Sequence, residues 1–207
     1  MSSVRRAPFD LMVIVDPRVD GVLAALARLS DNVRGERVAV QLRAKGASET
    51  EVLALARDVA AVQPAMSRLI LNGHVSVARA IAADGVHLPE ASEAAETART
   101  MLTAGALVGC SCHDEIGVTR RAREGADYVV LGPLGDVPGK PALGADAFAA
   151  IVRASTVPIV ALGGIASERD ADHATELGAS AVAIERALLD PDAPTWLARW
   201  LERRIAA

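Results

Sequence analysis

Eight short apolar, β-rich runs recur along this chain with an amphipathic stretch after each, and that alternation limits the fold more than any other feature. The runs are Leu11–Asp16, Arg37–Leu42, Arg68–Asn72, Gly85–Leu88, Ala106–Cys110, Tyr128–Leu131, Pro158–Leu162 and Ala181–Ile184. Between them lie the helix-like stretches Gly21–Ser30, Glu49–Ala61, Ser76–Ala83, Glu93–Leu102, Glu115–Glu124, Ala145–Ala154 and Glu168–Leu177, with Arg186–Leu189 and Thr195–Ile205 after the last run. Strands alternating with helices predict a parallel sheet. Eight is also the number that closes a barrel, so the expected fold is α/β, a single compact (β/α)8 TIM barrel. An open doubly wound sheet is the alternative. It is weakened because Asp16-Pro17-Arg18 stands where a glycine-rich dinucleotide turn would follow the first strand.

The 207 residues, 51% of them hydrophobic, suffice for one domain with a sizeable core. Residues 1–9 are expected to form a flexible N-terminus, and residues 191–207 a C-terminal helix packed on the barrel. Trp196 and Trp200, four apart, belong either inside that packing or at a dimer interface. The net charge of −4 with mixed signs, and an aromatic content of 2%, speak against a nucleic-acid partner. No run approaches the ~20 apolar residues of a membrane span, and no secretory leader is recognisable, so the expected location is cytoplasmic. Cys110 and Cys112 would share one strand face and pack under helices.

The chemistry should gather at the C-terminal ends of the strands. In Gly109-Cys110-Ser111-Cys112-His113 the period of two puts Ser111 and His113 on the face opposite the cysteines. His113 could instead cap the following helix, a role Asp114 could equally fill. Gln41, Arg43 and Lys45 alternate onto one face after strand two, which suits an anionic ligand. Asn72-Gly73 ends strand three, either orienting a ligand or making an ordinary turn. Lys140 lies in the loop 132–144, rich in glycine and proline, and is a mobile cation for phosphate or carboxylate. Gly163-Gly164 follow strand seven and expose backbone N–H groups to an anion, although a plain turn would also explain them. Arg186, just past strand eight, could join them or remain a solvated surface arginine. His87 reads as a satisfied barrel-lining residue, and His74 and His173 belong to no constellation. HExxH, clustered strand-end carboxylates and Gly-x-Ser-x-Gly are all missing, so no metal site is expected.

The segments VQLRAK (Val40–Lys45), LNGHV (Leu71–Val75), ADGVHLP (Ala83–Pro89), GADYVVLGP (Gly125–Pro133) and VPIVALGGI (Val157–Ile165), in this order, resemble the thiamine phosphate synthase/TenI superfamily. The resemblance spans about residues 10–190 and implies a (β/α)8 barrel, usually a homodimer. In its synthase branch, the resemblance implies Asn-Asp after strand three and a second aspartate after GVHL, both holding magnesium, with a T-x-T-K loop on the pyrophosphate. Here those places read Asn72-Gly73, Ser92 and Val137-Pro138-Gly139-Lys140. Asn-Gly, Leu88-Pro89 and Ser111-x-His113 instead resemble the TenI-type thiazole tautomerase branch. That likeness implies an isomerase without cofactor that aromatises a phosphorylated carboxythiazole. His113 would be its acid/base, Ser111 a positioning hydroxyl, and Gln41, Arg43, Lys45, Asn72 and Lys140 substrate contacts. Gly163, Gly164 and Arg186 would hold the phosphate. The alternatives are a thiamine phosphate synthase, which alone would use Mg, joining hydroxymethylpyrimidine diphosphate to thiazole phosphate, and a non-catalytic ligand-binding member.

Overall fold

A computed structural model describes residues 6–206, with side chains through residue 204. Eight parallel strands close in sequence order: β1 (Leu11–Val15), β2 (Val38–Leu42), β3 (Arg68–Asn72), β4 (Gly85–Leu88), β5 (Leu107–Cys112), β6 (Tyr128–Leu131), β7 (Ile159–Leu162) and β8 (Ala181–Ile184), with β8 pairing back onto β1. The helices are α1 (Val22–Ser30), α2 (Glu49–Val62), α3 (Val75–Ala80), α4 (Ala95–Met101), α5 (Glu115–Arg123), α6 (Ala145–Ala154), α7 (Glu168–Glu176) and α8 (Ala193–Ala206). The closed barrel is the expected one, and the doubly wound alternative falls. Two of the expected regular stretches are single 3-10 turns in part: Gly35–Arg37 precedes β2, and Arg186–Leu189 follows β8.

Period-two alternation sorts the side chains into two cores. Leu11, Val13, Val38, Val40, Cys110 and Cys112 face the helices. Met12, Ile14, Ala39, Ile70, Tyr128, Val130, Val160 and Ala183 fill the barrel. Both faces are buried, which is why the strands are rich in Val, Ile and Leu rather than alternating with polar residues. Glycine enters the interior where a ring needs the room. A Cβ on Gly109 would lie 2.0 Å from Tyr128 Cζ, so this position admits the tyrosine only because it carries no side chain.

Residues 1–5 of the stretch expected to be flexible lie outside the described residues. Beyond them the expectation is corrected: Ala7 and Phe9 are buried, and Phe9 meets Tyr128 edge-on at 5.0 Å, closing the N-terminal end of the barrel. Burying that ring outweighs the entropy of leaving the segment free. At the other terminus α8 lays Trp196, Leu197, Trp200 and Leu201 into the core, so both tryptophans pack within the chain. Among the described residues no helix is long and apolar enough to cross a membrane.

Cys110 and Cys112 are buried free thiols beneath the helices. Burial pushes their pKa values up to about 11 and about 12, respectively. The thiolate is the reactive form, so both should be inert. Titration of the native protein with a thiol reagent near pH 8 is expected to show no fast reaction, and both cysteines should react on unfolding. A rapid stoichiometric reaction in the native state would contradict this packing.

Candidate active site at the barrel mouth

The loops at the C-terminal ends of the strands enclose a cavity of about 870 Å³. Its lining includes Arg43, Lys45, Ser111, His113, Lys140, Gly163, Gly164 and Arg186, eight of the ten residues expected to form a site. The volume lies in the usual range for small-molecule sites. Gln41 and Asn72 are not in that lining. Gln41 is buried one layer below, where its amide donates to Met12 Sδ at 3.1 Å and its carbonyl accepts from Asn72 Nδ2 at 3.0 Å. Gln41, 1% exposed, is therefore placed as support for the floor rather than as a surface contact, while Asn72, half-buried at the end of β3, holds it there. The regular period put Gln41 on the right face but could not say at what depth the mouth begins.

Local chemistry explains the placement of the rest. Asp114 is the N-cap of α5, its carboxylate accepting from Gly117 N at 2.7 Å, which leaves the His113 imidazole free of that duty. His113 Nδ1 donates to the Gly132 carbonyl, which can only accept, so its Nε2 faces outward, 3.7 Å from a Glu90 oxygen. Ser111 does not join His113. Its hydroxyl is bonded instead to Nε2 of His87 at 2.8 Å. His87 is 2% exposed. Desolvation pushes its pKa down to about 3, aided by the positive charges of Arg43 and Arg121. A ring that protonates near 6.5 in the unfolded chain but resists protonation when folded makes stability fall with pH over that interval. Acid unfolding is therefore expected to show a destabilising slope that begins below about pH 6.5 and is reduced in His87→Gln.

The cavity is bounded by cations. Arg43 reaches Glu185 Oε1 at 3.4 Å across the mouth. Among the described residues Lys45, Lys140 and Arg186 have no ion-pair partner. Glu185, Glu90, Asp136 and Asp190 are the acidic residues that sequence reasoning missed. Glu185 stood beside Arg186 at a strand end and was the one with a visible signal. Lys140 sits at the tip of a loop pinned at its base by Leu143 N to Pro133 O at 2.8 Å and Leu134 N to Leu162 O at 2.8 Å. That loop lies directly on the Gly163-Gly164 turn. A Cβ on Gly163 would fall 2.6 Å from Pro133 Cβ, and one on Gly164 would fall 2.8 Å from Gly135 Cα. Close approach of two backbones thus requires both glycines, whatever ligand the turn receives.

Acidic side chains at the mouth are scattered among the cations, with Asp136, Glu185 and Asp190 in the lining. Among the described residues no group of three or more His, Cys, Asp or Glu side chains could hold a metal. At the place of the family's second aspartate, the Ser92 hydroxyl donates to the Pro89 carbonyl at 2.7 Å and accepts from Arg121 at 3.1 Å, so it serves the loop.

The description "Thiamine monophosphate synthase" belongs to the family model that matches residues 11–188. A Geobacter sulfurreducens protein provisionally named a thiamine-phosphate synthase is 36% identical over 193 residues, covering 90% of each chain. The thiamine-phosphate synthase of Myxococcus xanthus is 34% identical over 202 residues, covering 95% of this chain and 91% of that one. Among solved structures, thiamine phosphate pyrophosphorylase from Pyrococcus furiosus superposes with a TM-score of 0.78 at 22% identity, covering 96% of each chain, a likeness of fold. These relatives carry the name of a transferase, which overturns the expected isomerase, a thiazole tautomerase, in favour of the alternative. Ser111-x-His113 looked like one acid/base unit, whereas the fold gives the serine to His87 and the histidine to Gly132. Extensive identity along nearly the whole barrel, joined to a cationic mouth at its C-terminal end, means that the chain belongs to the thiamine monophosphate synthase family.

Proposed function

We propose that this protein is a thiamine-phosphate synthase, a transferase joining hydroxymethylpyrimidine diphosphate to thiazole phosphate. The observation that carries this reading is the mouth cavity in which Arg43, Lys45, Lys140 and Arg186 converge beside the Gly163-Gly164 turn. Both substrates are anionic, and the reaction releases diphosphate. The ring nitrogen of the thiazole gives its electron pair to the methylene carbon of the pyrimidine. The carbon–oxygen bond breaks, and its pair leaves on the diphosphate. No electrons are exchanged with a redox partner and no proton must move, so the demand is for stabilised negative charge on the leaving group. Positioned cations and backbone N–H groups supply that in a partly dehydrated cavity.

Gly163, Gly164 and Arg186 hold a phosphate group in this reading, and Lys140 closes over the diphosphate from its loop. Lys45 and Arg43 face the second anion, with Arg43 released from Glu185 as substrate enters. His113 and Ser111 line the reacting region, where Ser111 contacts a substrate oxygen. These side chains supply positive charge and hydrogen-bond donors to the departing diphosphate. The enzyme is a homodimer in this reading, as the family resemblance implies, and a monomeric mass in sedimentation would correct that.

Incubating the protein with the two precursors tests the function directly. Stoichiometric thiamine phosphate and diphosphate are expected, and failure of both to form would sink the reading. Arg186→Ala is expected to weaken binding of inorganic pyrophosphate by about ten- to a hundred-fold, the loss of a charge-assisted hydrogen bond. The same titration in EDTA should stay within about threefold of that in magnesium if the cations suffice. Pyrophosphate that binds only with magnesium present would show that a metal carries part of the charge at this site.

A further inference from the structure

The interior of the barrel carries one polar pair whose direction can be argued. His87, on β4, and Ser111, on β5, are brought together because His87 is in register with Gly109, the residue two before Ser111 on the same face. The ring is held from below. It stacks on Tyr128 at 5.8 Å with 28° between planes, and Tyr128 in turn rests against Phe9. The missing side chain of Gly109 makes room for this column. Ser111 sits at its top and lines the mouth cavity.

A neutral imidazole has one N–H. Among the described residues the buried Nδ1 of His87 has no hydrogen-bond partner, and Nε2 has one, the Ser111 hydroxyl. A proton on Nδ1 would leave a buried N–H without an acceptor, and orphaned buried N–H groups are rarer in folded proteins than under-used acceptors. A proton on Nε2 makes the bond to Ser111 with the histidine as donor. The serine oxygen then accepts from below, and its own O–H is left to point into the mouth.

We propose that His87 is a positioning residue that commits the Ser111 hydroxyl to donate a hydrogen bond into the mouth, toward an anionic oxygen of the substrate. The identity of that oxygen, on phosphate or diphosphate, rests on the reading under Proposed function; the direction of the bond does not. Ser111 is thereby a fixed donor among flexible cations, and it is polarised by a residue that never touches substrate.

The ¹⁵N chemical shifts of the His87 ring in the native protein read the tautomer without any substitution. A protonated Nε2 and a bare Nδ1, unchanged between pH 6 and 8, are expected; a protonated Nδ1 overturns the proposal. Binding of inorganic pyrophosphate then tests its consequence. Ser111→Ala and His87→Leu should each weaken binding by about tenfold, as for one charge-assisted bond, and the double variant no further. His87→Gln, which offers an amide N–H near the place of Nε2, should restore affinity to within about threefold of wild type. Losses that add in the double variant, or a His87→Leu protein that binds as wild type, would also overturn it. If wild type itself binds no pyrophosphate, the transferase reading fails, and the ring shifts alone decide the direction of the pair.

Discussion

Gly163→Ala is expected to weaken pyrophosphate binding by at least about tenfold and to cost about 2–4 kcal/mol of stability. Two penalties combine. The backbone of Gly163 has φ +98°, a region that an L side chain rarely enters. The new methyl would also lie 2.6 Å from Pro133 Cβ and 2.7 Å from Pro133 Cα. A proline ring and its backbone cannot swing aside, so the whole β6–α6 loop must shift. That loop carries Lys140, and the turn it leaves carries the N–H groups assigned to phosphate. Function and stability should fall together. In a chain of this size the midpoint of thermal unfolding should drop by roughly 4–15 °C. Gly139→Ala is the control: its φ is +78°, yet nothing lies within 4 Å of its Cβ position. It should lose only the conformational part, about 1 kcal/mol. Equal midpoints for the two variants, with unchanged pyrophosphate titration, would contradict the role given to the loop contact.

Trp200→Ala should be the most costly of the large-to-small substitutions on α8, at about 3–5 kcal/mol. The side chain is 1% exposed within a single chain, packed among the residues that bind the C-terminal helix to the barrel. Arg204 lies over its indole at 5.6 Å, a contact that would be lost as well. The midpoint should fall by roughly 6–20 °C, by the same amount at low and high protein concentration. A loss that grows on dilution would instead place the tryptophan at a subunit interface.

The sequence was most legible where the physics is local. Alternation within a strand depends only on the period of two, so Cys110 and Cys112 could be turned toward the helices, and Ser111 toward the interior, before any fold was known. The N-cap of α5 likewise depends on neighbours along the chain: of the two residues the sequence offered, Asp114 takes it, its carboxylate accepting from Gly117 N at 2.7 Å. The mouth was legible in outline because residues just beyond strand ends gather there in any closed parallel barrel. The depth of each residue was not. Strand stagger sets whether Gln41 reaches the cavity or stops beneath it, and stagger is a property of the closed sheet.

Partner choice was the least legible feature. Ser111 and His113 are two apart and looked like a unit, yet Ser111 bonds to His87, 24 residues earlier, and His113 to Gly132, 19 residues later. Arg43 finds Glu185 across 142 residues. The sequence by itself determined the eight-fold alternation, the faces of the strands, the caps and the collection of cations at one end. Only the tertiary structure decided which histidine holds which oxygen, which glycines admit a ring or a loop, and that the terminal tryptophans pack inward. The reason is that strand register and barrel closure, not proximity along the chain, bring hydrogen-bonding groups within reach of one another.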